Sequence, residues 1–320
     1  MVRIAKYTLA FLRLIRWQNL LIIAVTMYLL RWFVMFPLLK NDQMETQIRE
    51  PLFLFLVLAT LCLAAAGYVI NDYFDRKADL INRPEKVILG RILSRRAGMV
   101  WHTILTLIGI LLGSYVSYKI GHLKFSLVFF VVSGLLWFYS TSYKRQVLLG
   151  NLVVAILVAC VPLILIVFEL PLLIDKYSLY IKSMSDDLDI LAIWFVGYSG
   201  FAFLLNFMRE IVKDLEDFEG DFAFGRQTIP IAWGLRTAKI IVLVSAVITG
   251  LFLIMATVKL RWSMLTVLYS FVLLILPLVV FMFSIYKAST KKQYHNSSNI
   301  LKIIMLSGLL YLVVGANWVF

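Results

Sequence analysis

Nine stretches of roughly 17–23 mostly apolar residues, parted by short polar segments, leave this 320-residue chain few folds to adopt. Each is long enough to cross a hydrocarbon core of about 30 Å as a helix, the one spanning form that satisfies its backbone hydrogen bonds within a single segment. They lie near 20–39, 52–70, 99–117, 125–140, 150–168, 190–208, 240–258, 264–286 and 300–320. A composition that is 62% hydrophobic and only 15% charged excludes a soluble enzyme, a disordered chain and a secreted disulfide scaffold. The expected fold class is an all-α membrane protein, a bundle of nine transmembrane helices with a central cavity capped by cytoplasmic loops. With no soluble linker or shift in composition, residues 1–320 are expected to form a single domain. Pro162 and Pro277 fall inside spans and predict kinks rather than breaks.

The net charge of +13 would suggest nucleic acid in a soluble chain, but here orientation in a bilayer accounts for most of it. With the amino terminus inside, most of the 31 Lys and Arg fall on the cytoplasmic side, in the amino-terminal segment and in the loops after helices two, four and six. The expectation is a multi-pass protein of the cytoplasmic membrane, its partners the bilayer and small lipids, with no nucleic acid and no obligate protein partner. The longest outer loop, between helices five and six, is expected to carry Asp186, Asp187 and Asp189, and Glu169 at the outer end of helix five is read as solvated. Cys62 and Cys160 lie in apolar runs, and His102, His122 and His295 are scattered and read as interfacial, so any metal must be held by oxygen. Gly109 and Gly113 have the spacing of a helix-packing face.

Two acidic motifs carry the chemistry. At the inner end of the second helix the chain reads Asn71-Asp72-Tyr73-Phe74-Asp75-Arg76-Lys77-Ala78-Asp79, and at the inner end of the sixth Lys213-Asp214-Leu215-Glu216-Asp217-Phe218-Glu219-Gly220-Asp221. The carboxylates at 72, 75, 79 and at 214, 217, 221 share the spacing i, i+3, i+7, which puts each triad within an arc of about 60° on one helix face. Two such stripes on facing helices would form an oxygen-rich pocket. Like charges that close do not all stay ionised without cations between them, and hard oxygen ligands with no His or Cys fit Mg²⁺, which completes its shell with water and phosphate oxygens. A phosphorylated substrate is the natural partner.

Basic residues interleave with both stripes. Arg76, Lys77, Arg83 and Lys86 follow the first, Lys213 and Arg226 flank the second, and the short loop after the fourth helix adds Tyr139, Lys144 and Arg145. Donors of this kind beside Mg²⁺ are what a diphosphate needs as its bond to carbon breaks. Walls rich in Phe, Leu and Ile suit a long hydrocarbon tail, so a polyisoprenyl diphosphate fits, and the faces of Tyr68, Tyr73, Tyr139 or Phe207 are candidates to shelter an allylic cation. A transporter built on internal repeats is the reading from another class, but it expects charge near the midplane, whereas the six motif aspartates lie at helix ends.

These residues resemble the UbiA superfamily of intramembrane prenyltransferases. The resemblance rests on Asn71-Asp72-x-x-Asp75-x-x-x-Asp79 with Asn82-Arg83-Pro84, and on Asp214-x-x-Asp217-x-x-x-Asp221 with Arg226-Gln227-Thr228-Ile229-Pro230. Asn19, Tyr139, Lys144-Arg145 and Gly150-Asn151 add to it, while Glu85-Lys86-Val87 departs from the second Arg-Pro more usual in relatives. It implies a nine-helix fold and Mg²⁺ bound by Asn71, Asp72, Asp75, Asp79, Asp214, Asp217 and Asp221. It also implies a prenyl diphosphate gripped by Arg83, Lys144 and Arg145. Asn19, Lys213 and Arg226 are further candidates for the diphosphate, and Asp75, Asp217 and Tyr139 for catalysis. Within the superfamily, Arg209 to Asp221 is most similar to the branch that transfers geranylgeranyl to geranylgeranylglycerol phosphate. That implies a lipophilic alcohol acceptor, the alternative being an aromatic acceptor of quinone or haem biosynthesis.

Overall fold

A computed structural model describes the backbone of residues 2–41, 43–259 and 263–319, with the side chains of 2–4, 179–187, 259 and 315–319 outside the description. Asp186 and Asp187 therefore lie outside the described side chains. Among the described residues the chain is helical apart from short connections and one isolated bridge between Leu89 and Leu93. Nine segments are long and apolar enough to cross a membrane: Trp17–Asn41, Glu50–Asn82, Arg95–Lys119, Leu123–Arg145, Leu149–Ser178, Leu188–Glu216, Leu235–Val258, Met264–Lys287 and Lys291–Val314. Each overlaps one of the nine expected stretches. Side chains such as Leu111, Val258 and Met264 are exposed while Asp75 and Asp221 are buried, the reverse of a soluble surface and the pattern of a chain solvated by lipid.

The chain falls into two compact units. The first comprises Met1–Met27 and Gln47–Lys144, the second Tyr28–Thr46 and Arg145–Phe320. Within the first lie α1 (Val2–Leu14), the start of α2 (Trp17–Leu30), α4 (Glu50–Asn82), α5 (Arg95–Lys119) and α6 (Ser126–Thr141). A π-helical turn, Arg31–Met35, and α3 (Phe36–Asn41) follow α2 and belong to the second unit.

Helices α4, α5 and α6 approach closely because small residues face large ones. A Cβ on Gly109 would sit 2.8 Å from Leu63, one on Gly67 would sit 2.7 Å from Leu136, and one on Gly113 would strike the ring of Phe129. The packing role expected of Gly109 and Gly113 is thus the observed one. Gly134, in the same bundle, has open space where its Cβ would be. Gly113→Ala is therefore expected to destabilise the first unit by about 1–3 kcal/mol through overpacking. Gly134→Ala is expected to be neutral or stabilising by up to about 1 kcal/mol through helix propensity. Thermal unfolding of the two variants in one detergent checks the contrast.

His102 corrects its interfacial reading. It sits in the body of α5, buried, its Nδ1 3.1 Å from the carbonyl of Ala66 and its ring against Trp137. A polar ring among packed helices needs such a partner, and the α4 carbonyl provides it.

The second unit is built on α7 (Leu149–Glu216), α8 (Phe218–Ala223), α9 (Ile229–Trp233), α10 (Leu235–Lys259), α11 (Met264–Ser270), α12 (Leu276–Lys287) and α13 (Lys291–Val319). Its core joins Ile211, Val212 and Leu215 of α7 to Val242, Phe281 and Leu301. Helical backbone runs from Leu149 to Glu216 across both spans, and because Asn151 and Asp214 near its two ends are hydrogen-bonded at 2.7 Å, the chain doubles back between Ser178 and Leu188, where the connection between spans five and six was expected. The connection is itself helical backbone, with no Gly or Pro between Pro171 and Gly197 to interrupt it. Glu169 likewise is not solvated: it is 1% exposed, and Arg31 in the first span is 2% exposed. Charges this deep persist in a bilayer only where protein covers them, and Arg31 also lies 5.0 Å over the ring of Phe36.

Of the two prolines expected to kink their helices, Pro162 lies within α7 without a break. Pro277 follows a π-helical turn, Phe271–Ile275, just as Pro37 follows the turn at Arg31–Met35. A proline ring clashes with the carbonyl four residues before it, and the wider π turn relieves that clash without ending the helix.

Candidate metal and diphosphate site

The first motif is set by the length of α4, which runs past the apolar stretch to Asn82 and so carries Asn71 through Asp79 in its last turns. Pro84 disfavours helix at Arg83, which leaves it (φ −150°) to cap α4, its N–H donating to the Asp79 carbonyl at 2.8 Å. The expected single stripe of Asp72, Asp75 and Asp79 is present on this one helix. Asn71 and Asp75 are buried, at 9% and 5% exposed. Lys144, in the short turn Tyr143–Arg145, donates to Asn71 Oδ1 at 3.0 Å and also to Asp75 Oδ2. Its ammonium lies 5.9 Å from the ring of Tyr139, itself buried.

Asp72 is held from the other side. Arg16 links α1 to α2 with φ at 52°, a left-handed conformation that costs a non-glycine residue about 1–2 kcal/mol. That turn aims its guanidinium at Asp72 Oδ1, 2.8 Å away, and lays it 4.8 Å over the ring of Tyr68. Asn19 joins the group through a long 3.4 Å bond from its amide to the Tyr68 hydroxyl. Arg16 escaped the sequence reading, because a contact 56 residues away along the chain leaves no local pattern. Arg76 belongs elsewhere: its Nε donates to the Leu89 carbonyl at 3.1 Å and its guanidinium lies against Gly90, whose φ of +84° makes room for it, so it clamps the following loop. Arg83 is half-buried beside the motif, and Lys86 is exposed.

The second motif differs from its expected form. Helix α7 ends at Glu216 and α8 begins at Phe218, so Asp214, Asp217 and Asp221 straddle a break rather than lining one helix face. Asp217 sits at the break with φ −95° and ψ 10°, the sparsely populated bridge region. Its N–H donates to the Lys213 carbonyl at 2.8 Å, and its own carbonyl accepts from Asp221 at 3.1 Å, so the chain turns without losing the hydrogen-bond ladder. Asp214 accepts from the Asn151 amide at 2.7 Å, and Asp221, 3% exposed, is paired with Arg226 at 2.8 Å. Lys213 lies 3.9 Å from Glu210, which also receives Arg209 at 3.2 Å. The side chain of Arg145 is exposed, and its carbonyl accepts from Gln227 at 3.2 Å, tying its turn to the loop after the motif. Asn151 had a place in the sequence only as part of a resemblance, and its hold on Asp214 is a contact no spacing displays.

The donor set suits magnesium. Among the described residues no three His, Cys, Asp or Glu side chains close into a cage, and the two motifs supply oxygen alone. Mg²⁺ is held through one or two carboxylates, with water and substrate phosphate filling the rest of its octahedron, so a closed cage is not what it requires. Asp72, Asp75 and Asp221 each lie against a cationic side chain, as buried or half-buried carboxylates must.

The profile of the UbiA prenyltransferase family matches residues 20–303. The digeranylgeranylglyceryl phosphate synthase of Methanosphaera stadtmanae is 29% identical over 267 residues, covering 82% of this chain and 88% of that enzyme. The enzyme of the same name from Thermococcus sibiricus is 32% identical over 207 residues, and there the chain spans only 63% of the relative's length. Among solved structures, a digeranylgeranylglyceryl phosphate synthase in membranes superposes with a TM-score of 0.64 at 21% identity, covering 99% of both chains. A UbiA homologue from Archaeoglobus fulgidus bound to GPP and Mg²⁺ gives 0.55 at 15% identity, over 95% of this chain and 99% of that one. These likenesses show the fold, and the match over most of its length shows the family: the chain belongs to the UbiA prenyltransferase family.

Proposed function

We propose that this chain is an Mg²⁺-dependent prenyltransferase that moves a geranylgeranyl group from its diphosphate to a lipophilic alcohol, geranylgeranylglycerol phosphate, with the motif-bearing helix ends and the amino terminus on the cytoplasmic face. The observation that carries it is the group of Asn71, Asp75 and Lys144, where buried oxygen donors and a cation meet at the end of an otherwise apolar helix. The relatives' shared name supports the acceptor, and the prenyl diphosphate and Mg²⁺ in the A. fulgidus homologue support the donor and the metal.

In this reading Asn71, Asp72, Asp75 and Asp79 of the first motif and Asp214, Asp217 and Asp221 of the second are the metal ligands. Bound there, Mg²⁺ supplies charge neutralisation to the departing diphosphate. Lys144, Arg83, Arg145, Lys213 and Arg226 donate to phosphate oxygens, and Arg16 and Asn151 hold Asp72 and Asp214 in place. Asn19 steadies Tyr68 beside the same group. The buried face of Tyr139 excludes water and stabilises positive charge on the allylic carbon. The allylic C–O bond to diphosphate breaks, the acceptor oxygen bonds to that carbon, and its hydroxyl proton is released.

The test is purified protein with geranylgeranyl diphosphate, the phosphoglycerol lipid and Mg²⁺, followed by mass analysis of the lipid. An ether product with an equivalent of diphosphate is expected. Prenylation of an aromatic acceptor in preference would overturn the acceptor, and uptake into vesicles without any product would overturn the enzyme.

A further inference from the structure

The position of Lys144 bears on how metal enters the first motif. Its ammonium is bonded to Asn71 Oδ1 and Asp75 Oδ2 together, and the Lys144 and Asp75 side chains are only 15% and 6% exposed. These are the oxygens assigned to Mg²⁺ above. Two cations do not share them, since like charges a few ångströms apart repel strongly where water is scarce. Nor does the carboxylate stand bare, because a buried charge stripped of its partner is heavily penalised. One cation must therefore leave as the other arrives. Lysine suits that exchange: its charge is compact, its four-carbon stem flexible, and its three donors rotate freely. Here it is mounted on the single 3-10 turn Tyr143–Arg145 rather than within a long α-helix. Arg16 is the contrast. Its planar guanidinium is fixed by a left-handed backbone and by the Tyr68 ring, so it orients Asp72 rather than yielding it.

We infer that Lys144 is an exchangeable counter-cation of the first motif, which cedes Asn71 and Asp75 to the metal and takes up an oxygen of the incoming diphosphate, so that metal and diphosphate bind cooperatively. The inference rests on the function proposed above and adds an order to its binding: metal alone binds weakly because it must displace an ammonium with nowhere to go. Linkage makes the effect reciprocal, each ligand tightening the other by the same factor.

Mn²⁺ binding to the full chain in lipid nanodiscs, read from the loss of the free-ion paramagnetic resonance signal, tests it without turnover. Inorganic pyrophosphate serves as the second ligand, with free Mn²⁺ corrected for the complex in solution. Wild type is expected to bind Mn²⁺ at least about tenfold more tightly with pyrophosphate than without. Lys144→Met is expected to bind Mn²⁺ alone about tenfold more tightly than wild type and to lose most of the response to pyrophosphate. Lys144→Arg keeps a cation in place and is expected to restore weak binding of metal alone. Lys144→Met binding metal no tighter than wild type overturns the inference, as does a wild type indifferent to pyrophosphate, a result that stands even if Lys144→Met does not fold. Absence of Mn²⁺ binding by wild type in both conditions contradicts the proposed function as well.

Discussion

Stripping divalent cations with EDTA is expected to lower diphosphate release by about a thousandfold or more, and added Mg²⁺ to restore it. The size of the effect follows from the leaving group. In the proposed reaction the departing diphosphate gathers negative charge, and the motifs proposed to hold its metal are themselves rich in carboxylate, Asp72, Asp75 and Asp79 in one and Asp214, Asp217 and Asp221 in the other. Lys144, Arg16 and Arg226 are each already engaged with a motif carboxylate, so the basic side chains alone do not offset both the aspartates and the diphosphate. Release measured directly, by separating radiolabelled diphosphate from the labelled donor, with EDTA and then with excess Mg²⁺, checks it. Unchanged release in chelator would remove metal from the reaction.

Asp75→Ala is expected to cost about as much, a thousandfold in release, while Glu85→Gln and Glu219→Gln cost less than about twofold. The distinction is one of place, not of charge. Asp75 is buried on α4 and bonded to Lys144, whereas Glu85 and Glu219 are exposed and face solvent or head groups. Removing Asp75 also leaves Lys144 without its carboxylate, so some thermal destabilisation accompanies the loss of activity. Asp75→Asn keeps the shape and one acceptor for Lys144 but not the charge. It is expected to recover stability without recovering release, and differential scanning calorimetry beside the activity assay separates the two effects.

Much of this was legible in the sequence where the governing interaction is local. Span positions follow from hydropathy over about twenty residues, and the stripe of Asp72, Asp75 and Asp79 follows from helical spacing, because α4 continues unbroken beneath it. The same spacing misled at the second motif. Nothing before Gly220 marks the break at Asp217, and both the ladder from Lys213 and the pairing of Asp221 with Arg226 are made only in the folded chain. Glu169 read as solvated because it ends an apolar run, and its burial depends on neighbours distant in sequence. Arg16 was missed for the same reason: its value lies in a positive φ and in Asp72, neither of which has a signature in residues 13–19.

The account stands most directly on the joint need for both acidic motifs, measured as Mg²⁺-dependent diphosphate release by Asp75→Ala, Asp217→Ala and the double variant in one membrane preparation. Groups acting in one chemical step are strongly non-additive, so each single variant should abolish release and the double should be no worse than the poorer single. Near-normal release by either single variant, or two modest losses that simply multiply in the double, would contradict it.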